Sequence, residues 1–206
     1  MKRDEAIEMI RLRTGQDAIP GWDERIRLEM EMAQTSLEWD TVLPWFLLTV
    51  DDTLHVTANT SSLSLPTGFL RFGSQGGLYR YDATSDDPWI PMQREAYDAL
   101  KARNLGCGTP EWFAILGNTI HLFPTPAAAT SFRMIFFKSA GSLATNTATN
   151  PWLVYAPELI IHLACARVDP DRSGLWMGLA NTEKAGMSMN EDQRHADGIL
   201  LQIVAE

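Results

Sequence analysis

The sequence predicts an α+β fold: a helical bundle formed by the N- and C-terminal helices, with a central antiparallel β domain containing a short inserted helix. Three observations carry this expectation. Apolar residues recur at helical spacing in the first 40 positions and again after Pro157, two-residue alternation takes over from Leu47, and a Gly117-Asn118 pair separates two apolar runs. The chain is accordingly divided into residues 1–46, the N-terminal helices; 47–140, the β domain with an inserted helix at 94–104; and 141–206, a loop and C-terminal helices that complete the bundle as one folding unit.

Taken in order, Ile7 and Ile10 stand among charges between Asp4 and Arg13, and Gly15 ends the pattern, so a short amphipathic helix is expected there. Ile26, Met30, Ala33 and Leu37 then repeat at helical spacing up to about Trp39, with Asp23 as the expected N-cap and charged residues on the outer face. Leu54 and Val56, Leu63 and Leu65, and Tyr79 and Tyr81 alternate with polar residues and read as strands. The pairs Asp51-Asp52 and Asp86-Asp87 are assigned to turns, as is the glycine-rich stretch Gly73 to Gly77. Tyr97 and Leu100 anchor the inserted helix. Trp112–Leu116 and Thr119–Phe123 form a hairpin, and Phe132–Phe137, apolar on both sides except for Arg133, is expected to be a central strand. Leu143 to Asn150 reads as an exposed loop or arm. Pro157 starts a helix through Ile160, Leu163 and Ala164 that ends near Asp169-Pro170. A last helix runs from about Leu179 to Val204, with a break or fraying expected at Gly186 and Gly198.

The net charge of −9 repels phosphate backbones and speaks against a freestanding nucleic-acid binder. The two cysteines, Cys107 and Cys165, form no CxxC motif, and the charged N-terminus has no apolar leader-like run; no membrane partner is expected. Hydrolase, phosphate-loop, zinc-protease and dinucleotide signatures are all missing. Asp169 to Gly174 begins like a calcium loop, but Ala180 stands where the bidentate glutamate is required, so the segment reads as an interhelical turn with an aspartate cap. His162 and Cys165, spaced by one helical turn, lack a third orienting group, and His162 reads as a satisfied, half-buried histidine. No catalytic, cofactor or metal residue is assigned.

Residues 105–165 carry few charges, among them Glu111, Arg133, Lys138 and Glu158, and part of this stretch is expected to meet a neighbouring molecule. Trp89, between Pro88 and Ile90-Pro91, and Trp152, after Asn150-Pro151, sit at loop edges and are the interface candidates among the tryptophans. Ile199, Leu200, Ile203 and Val204 give the C-terminal segment an apolar side suited to docking on a partner.

The ordered landmarks resemble the head-to-tail adaptor (connector, or head-completion) proteins of tailed bacteriophages, especially the short-tailed type. They are a two-helix start, Leu43-Pro44-Trp45-Phe46-Leu47, Leu65-Pro66-Thr67-Gly68-Phe69-Leu70-Arg71, Tyr79 to Tyr81, Trp89-Ile90-Pro91-Met92 with Tyr97, Ile115 through Gly117-Asn118 to Pro124, and Phe132 to Phe137 followed by a polar loop and Trp152. The resemblance implies a non-enzymatic virion protein that forms a ring, commonly twelvefold, below the portal protein. It further implies that the ring receives the tail nozzle or tail tube, that DNA passes through its channel without sequence-specific binding, and that the protein sits in host cytoplasm until assembly. A tail terminator, a minor tail protein and a small enzyme with an unrecognised site are the alternatives.

Overall fold

The computed structural model describes residues 1–15, 21–73, 76–144 and 150–196, the stretch 190–196 by its backbone alone. Two compact units result, Leu48–Lys138 and the combination of Met1–Leu47 with Ser139–Glu206. Helices at both ends of the chain and a central, mainly antiparallel β region make the fold α+β.

The helical unit is built on an almost wholly apolar helix. Its elements are α1 (Arg3–Thr14) and α2 (Trp22–Glu38), then the chain outside the β unit resumes with α4 (Pro151–Tyr155), α5 (Pro157–Val168) and α6 (Ser173–Ala196), with α3 lying in the β unit at Tyr97–Ala102. On α5, Leu159, Ile160, Ile161, Ala164, Cys165 and Val168 are buried, and such an all-round apolar helix must sit at the centre of its neighbours. It contacts α1, α2, α4 and α6. Helix α1 ends as expected at Gly15, which takes the left-handed φ of +66° and returns its N–H to the Arg11 carbonyl. The expected cap of α2 differs: Gly21 precedes the first turn, and Asp23 lies inside that turn, where its carboxylate faces the positive end of the helix.

In the β unit the elements run β1 (Leu48–Val56), β2 (Ser62–Ser64), β3 (Phe69–Arg71), β4 (Gly77–Tyr81), β5 (Trp89–Pro91), β6 (Gln93–Arg94), α3, β7 (Cys107–Gly108), β8 (Trp112–Leu116), β9 (Thr119–Phe123), β10 (Thr125–Pro126) and β11 (Thr130–Lys138). One sheet has the order β1-β11-β4-β5, with β3 also paired to β11; a second has the order β2-β9-β8-β6. The strand over Phe132–Phe137 is therefore central, as its two apolar faces require. β8 and β9 form the expected hairpin in the register Leu116↔Thr119, and Gly117 supplies the positive φ that a two-residue loop with glycine first demands. Phe132, Met134, Phe136 and Leu78 from the first sheet meet Phe113, Ile120, Leu122 and Leu63 from the second in one apolar cluster.

Several expectations need correction. Asp51 and Asp52 lie within β1, where the pairing to β11 shifts register between Asp51 and Leu54, and Asp51 accepts hydrogen bonds from the Thr53 N–H (3.0 Å) and hydroxyl (2.7 Å). The bulge lets adjacent carboxylates reach water from an edge strand. The inserted helix is only Tyr97–Ala102, because Gln93 and Arg94 are used as a strand against β8. Helix α6 starts at Ser173 and passes Gly186 unbroken. Burial of Trp176 and Ala180 and the Lys184–Asp40 ion pair hold it there against the roughly 1 kcal/mol that a helical glycine costs. Gly198 lies outside the described residues.

Candidate functional site

Trp89 is half-buried on β5. Its ring lies under the Arg133 guanidinium, 4.3 Å from the centroid, and meets Tyr81 edge-on at 5.2 Å, so three side chain types favoured at protein contacts stand together. The Arg133 Nε is buried without a hydrogen-bond partner. The adjoining β4–β5 turn is stiffened by Asp82, which accepts from the Thr84 hydroxyl (2.6 Å), the Thr84 N–H (3.1 Å) and Arg80 (2.9 Å). Those donors hold the Asp82 carboxyl down at about 2.

Trp152 is not the loop-edge side chain the sequence suggested. The Asn150 carboxamide caps α4 by accepting the Trp152 N–H at 2.9 Å, and the indole turns inward, 2% exposed and edge-on to Phe46 at 5.1 Å. It is a core residue that floors an open groove of about 230 Å³, together with Leu37, Val42, Pro44, Leu159 and Met187. Its Nε1 finds no partner. Ile199, Leu200, Ile203 and Val204 lie outside the described residues.

A side-chain network missed in the sequence ties the return of the chain to α2. Glu38, nearly buried, accepts from Gln34 Nε2 (3.0 Å), the Ser139 hydroxyl (2.8 Å) and the Ala140 N–H (2.9 Å). Gln34 Nε2 also donates to the Gly141 carbonyl (2.7 Å), and its Oε1 accepts from Asn150 Nδ2 (2.8 Å). One turn earlier Glu31 accepts from the Ser142 hydroxyl (2.8 Å) and the Leu143 N–H (3.1 Å). Leu143 and Asn150 are consequently buried rather than exposed, while 145–149 lie outside the described residues. Sequence offered one signal, the run of hydrogen-bonding residues Ser139, Ser142 and Asn150 in a charge-poor stretch.

The titratable cluster on α5 is structural in character. Arg13 grips Glu158 through two bonds of 2.6 and 3.1 Å and donates toward His162 Nε2 at 3.2 Å. An arginine can only donate, so Nε2 accepts and the ring proton sits on Nδ1, which is buried and unpartnered; the histidine is half satisfied, not satisfied. Burial, with Arg13 adding to it, lowers the His162 pKa below its ordinary 6.5, against the pull of Glu158 and Glu183. Burial likewise pushes the Cys165 thiol up to about 11, which keeps it protonated and unreactive. Because the folded pKa of His162 is depressed, its contribution to stability is complete above pH about 6.5 and is lost as pH falls through the folded value. Urea midpoints should thus fall between pH 7.5 and 5.5, and the decline should flatten in His162→Gln; an equally steep decline in the variant would remove His162 as its cause. Asp169, expected to cap a helix, instead accepts from Arg172 Nε (2.6 Å) and Trp176 Nε1 (3.4 Å).

Among the described residues no three or more His, Cys, Asp or Glu side chains converge, and no helix is long and apolar enough to cross a membrane. What the helical unit does present is apolar surface: Trp39, at the end of α2, is 82% exposed, and Val42, Leu175, Leu179 and Met189 are also exposed. Sequence comparison gives this surface a context, since the family model of the SU10 adaptor protein matches residues 1–199. The chain belongs to the SU10 adaptor family. The match spans both units, and it bears out the resemblance to phage head-to-tail adaptors drawn from the landmarks. No curated protein matches the chain. For an adaptor, the exposed aromatic and aliphatic residues, rather than the α5 cluster, are the candidate functional site.

Proposed function

We propose that this adaptor is a structural virion protein of the neck, forming a twelvefold ring below the portal that joins capsid to tail and contributes to the wall of the DNA channel. The observation that carries the reading is the family match along residues 1–199, which takes in both units and not one borrowed module. Physical character agrees with it. A net charge of −9 lets DNA slide past a channel wall without being held, and exposed apolar side chains such as Trp39 and Met189 suit contacts made on assembly. The reading has no catalytic step, cofactor or metal in it. On this proposal Trp89, with Tyr81 and Arg133 around it, contacts a ring or tail neighbour, and the segment bearing Ile199, Leu200, Ile203 and Val204 anchors on the portal.

Light scattering after size exclusion, followed by electron microscopy, tests the proposal on the protein alone and mixed with the portal of the same genome. A ring, free or on the portal, is expected, and deletion of residues 190–206 should abolish co-elution with the portal. A compact monomer indifferent to the portal would overturn the adaptor role, whereas unchanged co-elution of the shortened chain would remove only the C-terminal anchor.

A further inference from the structure

Two apolar helix faces in the helical unit are left exposed among the described residues. On α2, Leu28, Met32 and Trp39 are 45%, 53% and 82% exposed, and their spacing sets them on one side of the helix, opposite the buried Ile26, Met30, Ala33 and Leu37. On α6, Leu175, Leu179 and Met189 are 57%, 39% and 73% exposed, with exposed Thr182 and Gly186 in the same row. Both helices pack on α5, and the two faces belong to different helices of the unit.

We propose that these faces are the two halves of one contact between copies of this chain: the α2 face of one copy packs against the α6 face of the next. The inference rests on the adaptor reading and gives its ring a specific interface. A closed ring needs two different, mutually complementary patches per subunit, and the helical unit carries such a pair.

Charge identifies a second copy as the occupant. A chain of net charge −9 repels its own copies over most of its surface. From Gly174 to Met189, however, only Glu183 and Lys184 are charged, and Lys184 is held by Asp40. The outer side of α6, with Leu175, Gly178, Leu179, Thr182, Ala185 and Met189, therefore carries no charge in its own row and has a single exposed carboxylate, Glu183, at its edge. Beside the α2 face, Arg27 bridges Glu24 (2.6 Å) and Glu31 (2.8 Å), so this flank brings little unbalanced charge.

Size and shape agree. At about 1.5 Å rise per residue the α2 row is about 17 Å long and the α6 row about 21 Å. The α2 row is bulky, while the α6 row has Gly178, Thr182 and Gly186 among its larger side chains. A Cβ on Gly178 or Gly186 would meet nothing within 4 Å, so folding of the monomer does not call for either glycine. Against a neighbouring helix they leave room for Leu28, Met32 and Trp39 and allow close approach of the backbones. A single helix pair is at the small end of stable interfaces but suffices for association of two copies, and closure of the ring, in which each copy uses both faces, adds to it.

The test introduces a carboxylate on either face: Met32→Glu or Thr35→Glu on α2, Leu179→Glu or Thr182→Glu on α6. All four positions are solvent-exposed, and circular dichroism and thermal midpoints check that the monomers fold. Each variant alone, with portal present, should lose ring formation, its self-association weakened about a hundredfold or more by a buried unpaired charge. An equimolar mixture of an α2 variant with an α6 variant retains one intact contact and should give heterodimers that grow no further. Rings formed by the folded variants, or a mixture that stays monomeric while wild type assembles, would overturn the interface and leave the adaptor role standing. Failure of wild type to assemble even on the portal would overturn both.

Discussion

Phe132→Ala is expected to lower the unfolding free energy by about 3–5 kcal/mol, the range for truncating a fully enclosed phenylalanine. Phe132 is 0% exposed on the central strand β11, flanked by β1 and β4, and belongs to the cluster with Met134, Phe136, Leu78 and Phe113. The backbone on both sides is fixed by ladder pairing, Phe132 opposite Leu54 on β1 and Arg80 on β4, so neighbouring strands cannot close in on the cavity. Urea titration followed by circular dichroism measures the loss, with Leu116→Ala at the exposed hairpin end as the control expected to change stability by less than about 0.5 kcal/mol. A loss below about 1 kcal/mol for Phe132→Ala would mean that the β core does not depend on this strand.

The placement of Phe132 also shows what kind of information was legible in the sequence. A strand apolar on both faces has to be interior, and a Gly-Asn pair between two apolar runs has to turn; both constraints are local, and both were met by β11 and by the β8–β9 hairpin. The misreadings came where a distant partner outweighs a local preference. Asp51-Asp52 has turn composition, but pairing with β11 carries β1 through it by way of a bulge. Gly186 weakens a helix, but packing on α5 holds α6 together across it. Asn150-Pro151 promised a loop edge, yet the asparagine cap and proline begin a helix that turns Trp152 into the core.

The candidate site was legible only in part for the same reason. Trp89 and Trp152 looked alike as sequence, each beside a proline, and only tertiary structure separates the half-buried ring under Arg133 from the buried one. The exposed α2 face was within reach: Leu28, Met32 and Trp39 follow a helical spacing of their own, out of phase with the core row, but a charged helix invites reading of one apolar side only. Their exposure is what turns that spacing into an interface argument.

Glu38 was beyond sequence reading, since its partners lie about a hundred positions away and a glutamate at the end of a charged helix looks solvated. Its replacement should nonetheless rank with the core substitutions. In Glu38→Ala the half-buried Ser139 hydroxyl and Ala140 N–H lose their acceptor, and the buried Gln34 loses one of its two. Leaving a buried donor unmet costs about 1–3 kcal/mol and a half-buried one less, so a net loss of about 2–3 kcal/mol is expected. Gln34 also orients Asn150, the cap of α4, so the damage should spread to both ends of the 141–150 connection. Amide hydrogen exchange would read this directly: in Glu38→Ala, protection at Ala140 and at Trp152 should fall together, and Gln34→Ala should add little to it. Loss of protection at Ala140 with Trp152 unchanged would mean that the carboxylate holds one strand exit only, and that the two ends of the connection are secured independently.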